Sequence, residues 1–122
     1  MADPYLIDVI PVPIAAGVTG LSGVIGLGGK TLVGIILPVA WVTAGLSFQA
    51  SGDGGVTFGE LLDETATARS VSSVTGGVYT VIAVDPTKWR GINCIKVRSG
   101  TSGAPVNQTG APTLQLLVRF VS

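Results

Sequence analysis

Three groups of residues in this chain carry side chains of the kind that do chemistry: the carboxylates Glu60, Asp63 and Glu64, the lone thiol Cys94, and the run Gly26-Leu-Gly-Gly-Lys-Thr31. Paired carboxylates serve general acid and base catalysis when both reach one substrate atom. Asp63 and Glu64 are adjacent, and in a strand adjacent side chains point to opposite faces, so they converge only if a turn intervenes. A solvated loop after a strand is the reading these residues favour. Asp53, in Ser51-Gly-Asp-Gly-Gly55, offers one carboxylate where a calcium loop needs several oxygen ligands, and a glycine-rich turn accounts for it. Histidine is absent, which removes the commonest general base, the usual metal ligand and any imidazole-dependent triad.

The glycine run comes close to a phosphate loop, which needs Gly-x-x-x-x-Gly-Lys-Thr leading into a helix. Here Val24 stands where the first glycine belongs, and Lys30 leads into Thr31-Leu-Val-Gly-Ile-Ile-Leu37, a β-branched run that stops at Pro38. That is a strand. Cys94 shares a strand face with Lys96 and Arg98, whose charges would lower a thiol pKa, but a partly covered filler is the expected role. One cysteine forms no internal disulfide. The triplet Asn107-Gln-Thr109 fits a glycosylation acceptor, a short pattern that carries nothing without a secretion signal. No catalytic, cofactor-binding or metal site is therefore expected.

The elements that would position these residues are short strands and turns. The chain has 122 residues, enough for one domain, and seven bases balance seven acids. No net field draws it to nucleic acid or to an anionic membrane. Only 11% of its residues are charged, against about a quarter in an ordinary soluble domain. Residues 9–29 and 31–52 contain no charged side chain at all. The second stretch approaches the length of a membrane span, but Pro38 at its centre, Gly34 and Gly45 beside it, and the period-two pattern Leu46-Ser-Phe-Gln-Ala-Ser51 make it strands. No Lys or Arg cluster flanks it, and Asp3, Pro4 and Asp8 occupy the place of a basic signal region.

Strands are expected over residues 5–10, 31–37, 46–51, 56–62, 68–74, 78–84, 93–99 and 114–121, with a helical turn at 38–44 that packs Trp41 inward. About eight strands without a helix period define an all-β, single-domain β-sandwich, jelly-roll-like, with an extended N-terminal arm. Residues 1–29 form the arm and a glycine-rich segment packed on the sandwich; residues 30–122 form the sandwich. Residues 31–37 are apolar on both faces, as a strand covered on both sides requires. In the last strand Leu114, Leu116, Val118 and Phe120 share one face, and the opposite face, with Gln115, Leu117, Arg119 and Val121, is only half polar. Pro11 and Pro13 confine the N-terminal run to an edge or an arm. Residues 100–112 make a long, uncharged loop of a length that is often functional.

Residues 29–41, 46–55, 85–91 (Asp-Pro-Thr-Lys-Trp-Arg-Gly) and 95–102 (Ile-Lys-Val-Arg-Ser-Gly-Thr-Ser) resemble small β-sandwich proteins of tailed-bacteriophage virions, of the capsid decoration or cement type. The resemblance is one of pattern over roughly residues 30–121. It implies a structural role without a cofactor: binding the outer surface of an assembled capsid, made in the host cytoplasm, with the major capsid protein as partner. It also implies a homo-oligomer, a trimer ahead of a dimer, and neither nucleic acid nor membrane as a partner. Tyr5, Leu6, Ile7 and Pro11 of the arm, with Val106, Asn107 and Gln108 of the loop, are the expected capsid or subunit contacts. The competing classes are a carbohydrate- or receptor-binding sandwich, which would need an exposed platform from Trp41, Trp89, Tyr5 or Tyr79, and another virion part such as a tail, fibre or baseplate component.

Overall fold

The computed structural model describes residues 7–120. Nine strands form two antiparallel sheets packed face to face. They are β1 (Asp8–Pro13), β2 (Ile25–Gly26), β3 (Thr31–Leu37), β4 (Ala44–Ser51), β5 (Gly59–Glu60), β6 (Ser70–Val74), β7 (Thr80–Ala83), β8 (Cys94–Ser99) and β9 (Thr113–Arg119). The first sheet has the order β1-β9-β3-β7; the second has β2-β8-β4-β5, with β6 also paired to β4. The architecture is that of a β-sandwich.

Alternation along the strands builds the core. Leu114, Leu116 and Val118 of β9, Ile95 and Val97 of β8, and Val12 of β1 point inward and are buried. β3 departs from strict alternation for a physical reason. Its register against β9 shifts between Leu32 and Gly34, so Val33 is an extra residue in the strand. The bulge turns Leu32, Ile35 and Leu37 all to the core, at spacings of three and then two. The apolar run of β3 therefore reflects a change of parity, not a strand covered on both faces.

Both tryptophans sit where the chain crosses from one sheet to the other. Trp41 lies in the turn between β3 and β4, its backbone N–H bonded to Pro38 O at 3.1 Å, and is buried. The expected helical segment at 38–44 is only this turn. Trp89 ends a 3-10 helix, Pro86–Trp89, between β7 and β8, and meets Phe48 edge to face at 4.8 Å between ring centroids. At Gly76, a Cβ would overlap the Trp41 carbonyl oxygen, so the turn before β7 closes only on glycine.

Of the edge and the arm that Pro11 and Pro13 allow, residues 8–13 take the edge. Within the described residues, Asp8–Pro13 is an edge strand of the first sheet, paired along its length with β9. Ile14 N–H bonds Pro112 O at 3.0 Å, so by alternation Ile10 and Val12 also turn their backbone groups toward β9. Pro11 and Pro13 consequently point their nitrogens away from the sheet. The two prolines cost no ladder donor, and along β1 they leave the Val9 N–H as the outward donor for a further strand.

Candidate interaction face

Of the carboxylates singled out as chemical candidates, Asp53 and Asp63 are used to fold turns, and Glu60 lies in β5 beside Arg98. Asp63 Oδ1 accepts from Thr65 Oγ1 at 2.7 Å, Thr65 N at 2.8 Å and Thr67 N at 3.0 Å. Asp85 caps the 3-10 helix, accepting from Thr87 Oγ1 at 2.7 Å and Thr87 N at 3.0 Å. The Thr65 and Thr87 hydroxyls, followed by backbone N–H groups, hold these two carboxyls below the ordinary value of 3.8. Asp53 Oδ1 accepts from the backbone of Thr57 and Val56 and from Ser51 Oγ, and the Thr57 N–H holds its carboxyl far below the usual range. Among the described residues no group of three or more His, Cys, Asp or Glu is placed to hold a metal ion, and no helix is long and apolar enough to cross a membrane.

The outer faces of the two sheets differ in kind. On the second sheet, Glu60, Gln49 and Lys96 form one row across the strands, and Ser70, Ser47 and Arg98 the next. Arg98 is buried although it lies on the outer face of the second sheet. It is 6% exposed, with Nη1 at 2.6 Å from Glu60 Oε1, close but poorly aligned for a hydrogen bond, and at 3.2 Å from Ser47 Oγ. Lys96 stacks over the Phe58 ring at 4.6 Å. Cys94 is half-buried beside Gly55, as a filler would be.

On the first sheet the corresponding rows are Val9, Leu117, Gly34 and Ala83, then Pro11, Gln115, Ile36 and Val81. Gln115 alone brings a polar side chain to these rows. Val9 is 49% exposed and Val81 58%, and Tyr79 continues the face at 59%. The charges gather at one end. There Lys30 pairs with Asp8 and lies 5.3 Å from the Phe120 ring centroid, near Arg119. The shortage of charge in the sequence is therefore concentrated on one face of the sandwich. Four strands at about 4.8 Å and six residues at about 3.3 Å give this face an area on the order of 400 Å2.

The structure divides the expected contact residues. Ile7, 42% exposed, and Pro11 lie together on the first-sheet side. Tyr5 and Leu6 fall outside the described residues. Asn107 is exposed, and its Oδ1 accepts from Gly17 N at 2.8 Å. Val106 is half-buried against the core, with its N–H bonded to Ser99 O at 2.9 Å. Gln108 is corrected: its side chain is fully buried and spends its polar groups on Val42 and Ser99, leaving nothing at the surface for a partner. The tip of the long loop, residues 101–105, is exposed throughout and closed by reciprocal bonds between Thr101 and Ala104, and residues 109–111 are exposed as well. Val9, Ile36, Tyr79 and Val81 were missed as contact candidates; the half-apolar second face of β9 was the signal for them.

No protein-family model, no curated protein and no solved structure matches this chain.

Proposed function

We propose that this chain is a structural protein of a tailed-phage virion, which binds the outside of an assembled capsid and ties neighbouring capsomers together. One observation carries the reading: a nearly charge-free outer face on the first sheet, with Val9, Tyr79 and Val81 exposed on it. A patch of this size matches the largest apolar patch of a typical soluble monomer, and such patches are often functional. The pattern resemblance to decoration proteins supplies the partner, the major capsid protein. The strand orders β1-β9-β3-β7 and β2-β8-β4-β6 support a jelly-roll winding, with β5 and β6 acting as one interrupted strand beside β4.

A glycan-binding role draws no support from the tryptophans, since Trp41 and Trp89 are both buried. At on the order of 400 Å2, one face supplies about half of what a standard partner contributes to a stable interface. Repetition over a capsid lattice offsets that deficit through multivalency when copies are linked. Co-sedimentation of the purified protein with undecorated capsids tests the reading. Binding saturable at a fixed ratio to capsid subunits supports it, and recovery of all the protein in the supernatant refutes it.

A further inference from the structure

Every open sheet carries strand edges, and each edge is a template for another strand unless it is blunted. On this sandwich the edges are treated unequally. At β1, Pro11 and Pro13 face outward without donors. β2 and β5 are two residues long. β6 carries a bulge, since its register on β4 shifts between Ala44 and Leu46, where Val71 O approaches Gly45 too closely for a side chain. β7 has none of these devices. Its register on β3 is regular, and residues 78–84, Val-Tyr-Thr-Val-Ile-Ala-Val, include no charge, proline or glycine.

The direction of the β7 backbone follows from one bond. Val84 N–H donates to Val33 O at 3.1 Å, which by alternation turns Ile82 and Thr80 toward β3. The N–H and C=O groups of Val81 and Ala83 point outward. Beside them the sheets part over a cleft of about 240 Å3 whose lining mixes the apolar Ile35, Phe48 and Ile82 with the charged Arg69, Asp85 and Lys88.

We infer that the β7 edge pairs antiparallel with the β7 edge of a second copy, joining the two first sheets into one eight-stranded sheet. Self-pairing suits a run without charge, because an isologous contact places each residue near its own kind and a charged strand would repel itself. With Val81 on the twofold axis, Tyr79 lies opposite the second copy's Ala83, large against small. The charged Asp85 end of each strand then meets the uncharged Gly77 end of the other. The same pairing places the second copy's Thr80 beside Ile82 and its Val78 beside Val84, at the mouth of the cleft. Joining the sheets also doubles the apolar outer face, bringing it to about the 800 Å2 that a standard interface needs from one partner. An isologous edge contact closes at two copies, the dimer that the resemblance to decoration proteins places behind a trimer.

This inference rests on the strand edges and stands apart from the capsid reading. Sedimentation of the purified protein at micromolar concentrations is expected to give about twice the chain mass of 12.3 kDa. Val81→Lys, which leaves the β3 ladder intact, raises the dimer dissociation constant at least about tenfold. Ser72→Lys, on the bulged β6 edge, leaves it unchanged. In a Cys94→Ser background, Val81→Cys forms a disulfide-linked dimer on mild oxidation, since residues in a hydrogen-bonded antiparallel pair have Cα atoms about 5.5 Å apart. The cross-link keeps the test decisive if the lysine variant does not fold. A monomeric wild type overturns the inference, as does a dimer weakened by Ser72→Lys but not by Val81→Lys, or a Val81→Cys protein that does not cross-link. Capsid binding by a monomer would overturn the edge contact alone; a β7 dimer that ignores capsids would overturn the capsid reading alone.

Discussion

The side chain of Gln108 and the backbone of Val42 form a two-bond pair like a rung of sheet. Val42 N–H donates to Gln108 Oε1 at 2.8 Å, and Gln108 Nε2 donates to Val42 O at 2.9 Å. A further bond from Nε2 reaches Ser99 Oγ at 2.7 Å. The pair ties the base of the long loop to the turn that carries Trp41. Gln108→Ala would leave both backbone groups of Val42 short of partners, at a cost of about 3 kcal/mol. Urea unfolding should show that loss, whereas replacing residues 101–105 with Gly and Ser should change stability far less.

Arg98 is kept on the second sheet by Glu60. Removing the carboxylate with Glu60→Ala strands a nearly buried guanidinium and should cost about 2 kcal/mol. In an Arg98→Met background the same change should cost little, because no charge remains to be compensated. A double-mutant cycle by denaturant unfolding measures the coupling. Equal costs in both backgrounds would mean that Glu60 and Arg98 act independently.

Gly76 has no room for a side chain against the Trp41 carbonyl, and its N–H bonds Thr43 Oγ1 at 2.8 Å. Gly76→Ala must displace that turn, and should destabilise the fold by about 2 kcal/mol. Gly103→Ala, in open space at the loop tip, serves as the control and should leave the melting temperature unchanged within error.

Asp53, Asp63 and Asp85 each have a carboxyl pKa depressed in the folded state. Their ionised forms accept turn hydrogen bonds that the unfolded chain lacks, so their contribution is present above the ordinary value of 3.8 and is lost as pH falls through the lower folded values. The melting temperature should be flat above about pH 5 and fall progressively below about pH 4. Asp85→Asn should make that fall shallower. A melting temperature that rises on acidification would contradict the assignment.

The sequence was most informative where a single strand decides its own environment. Residues 31–37 were expected as a strand and β3 spans those residues. The inward faces of β8 and β9 also follow from alternation alone. The expected strands at 56–62 and 68–74 shrink to Gly59–Glu60 and Ser70–Val74, because Asp53 and Asp63 capture neighbouring N–H groups into turns. The bulge at Val33 was hidden, since apolar residues on both sides of a strand read as two covered faces. Gln108 was placed at the surface for a different reason. Its partner Val42 lies 66 residues away, and a polar residue in a loop gives no local sign that it is buried. The apolar outer face was half legible in Leu117, and the register across four strands was needed to assemble the rest.

The apolar face of the first sheet is the central claim, and capsid co-sedimentation of face variants tests it most directly. Val9→Glu places a charge on the β1 side of that face at a half-exposed site that the fold tolerates. Lys96→Gln alters the polar face of the second sheet. The account predicts that wild type and Lys96→Gln pellet with undecorated capsids while Val9→Glu, still folded by circular dichroism, stays in the supernatant. Equal pelleting of all three proteins, or loss of binding in Lys96→Gln alone, would contradict it.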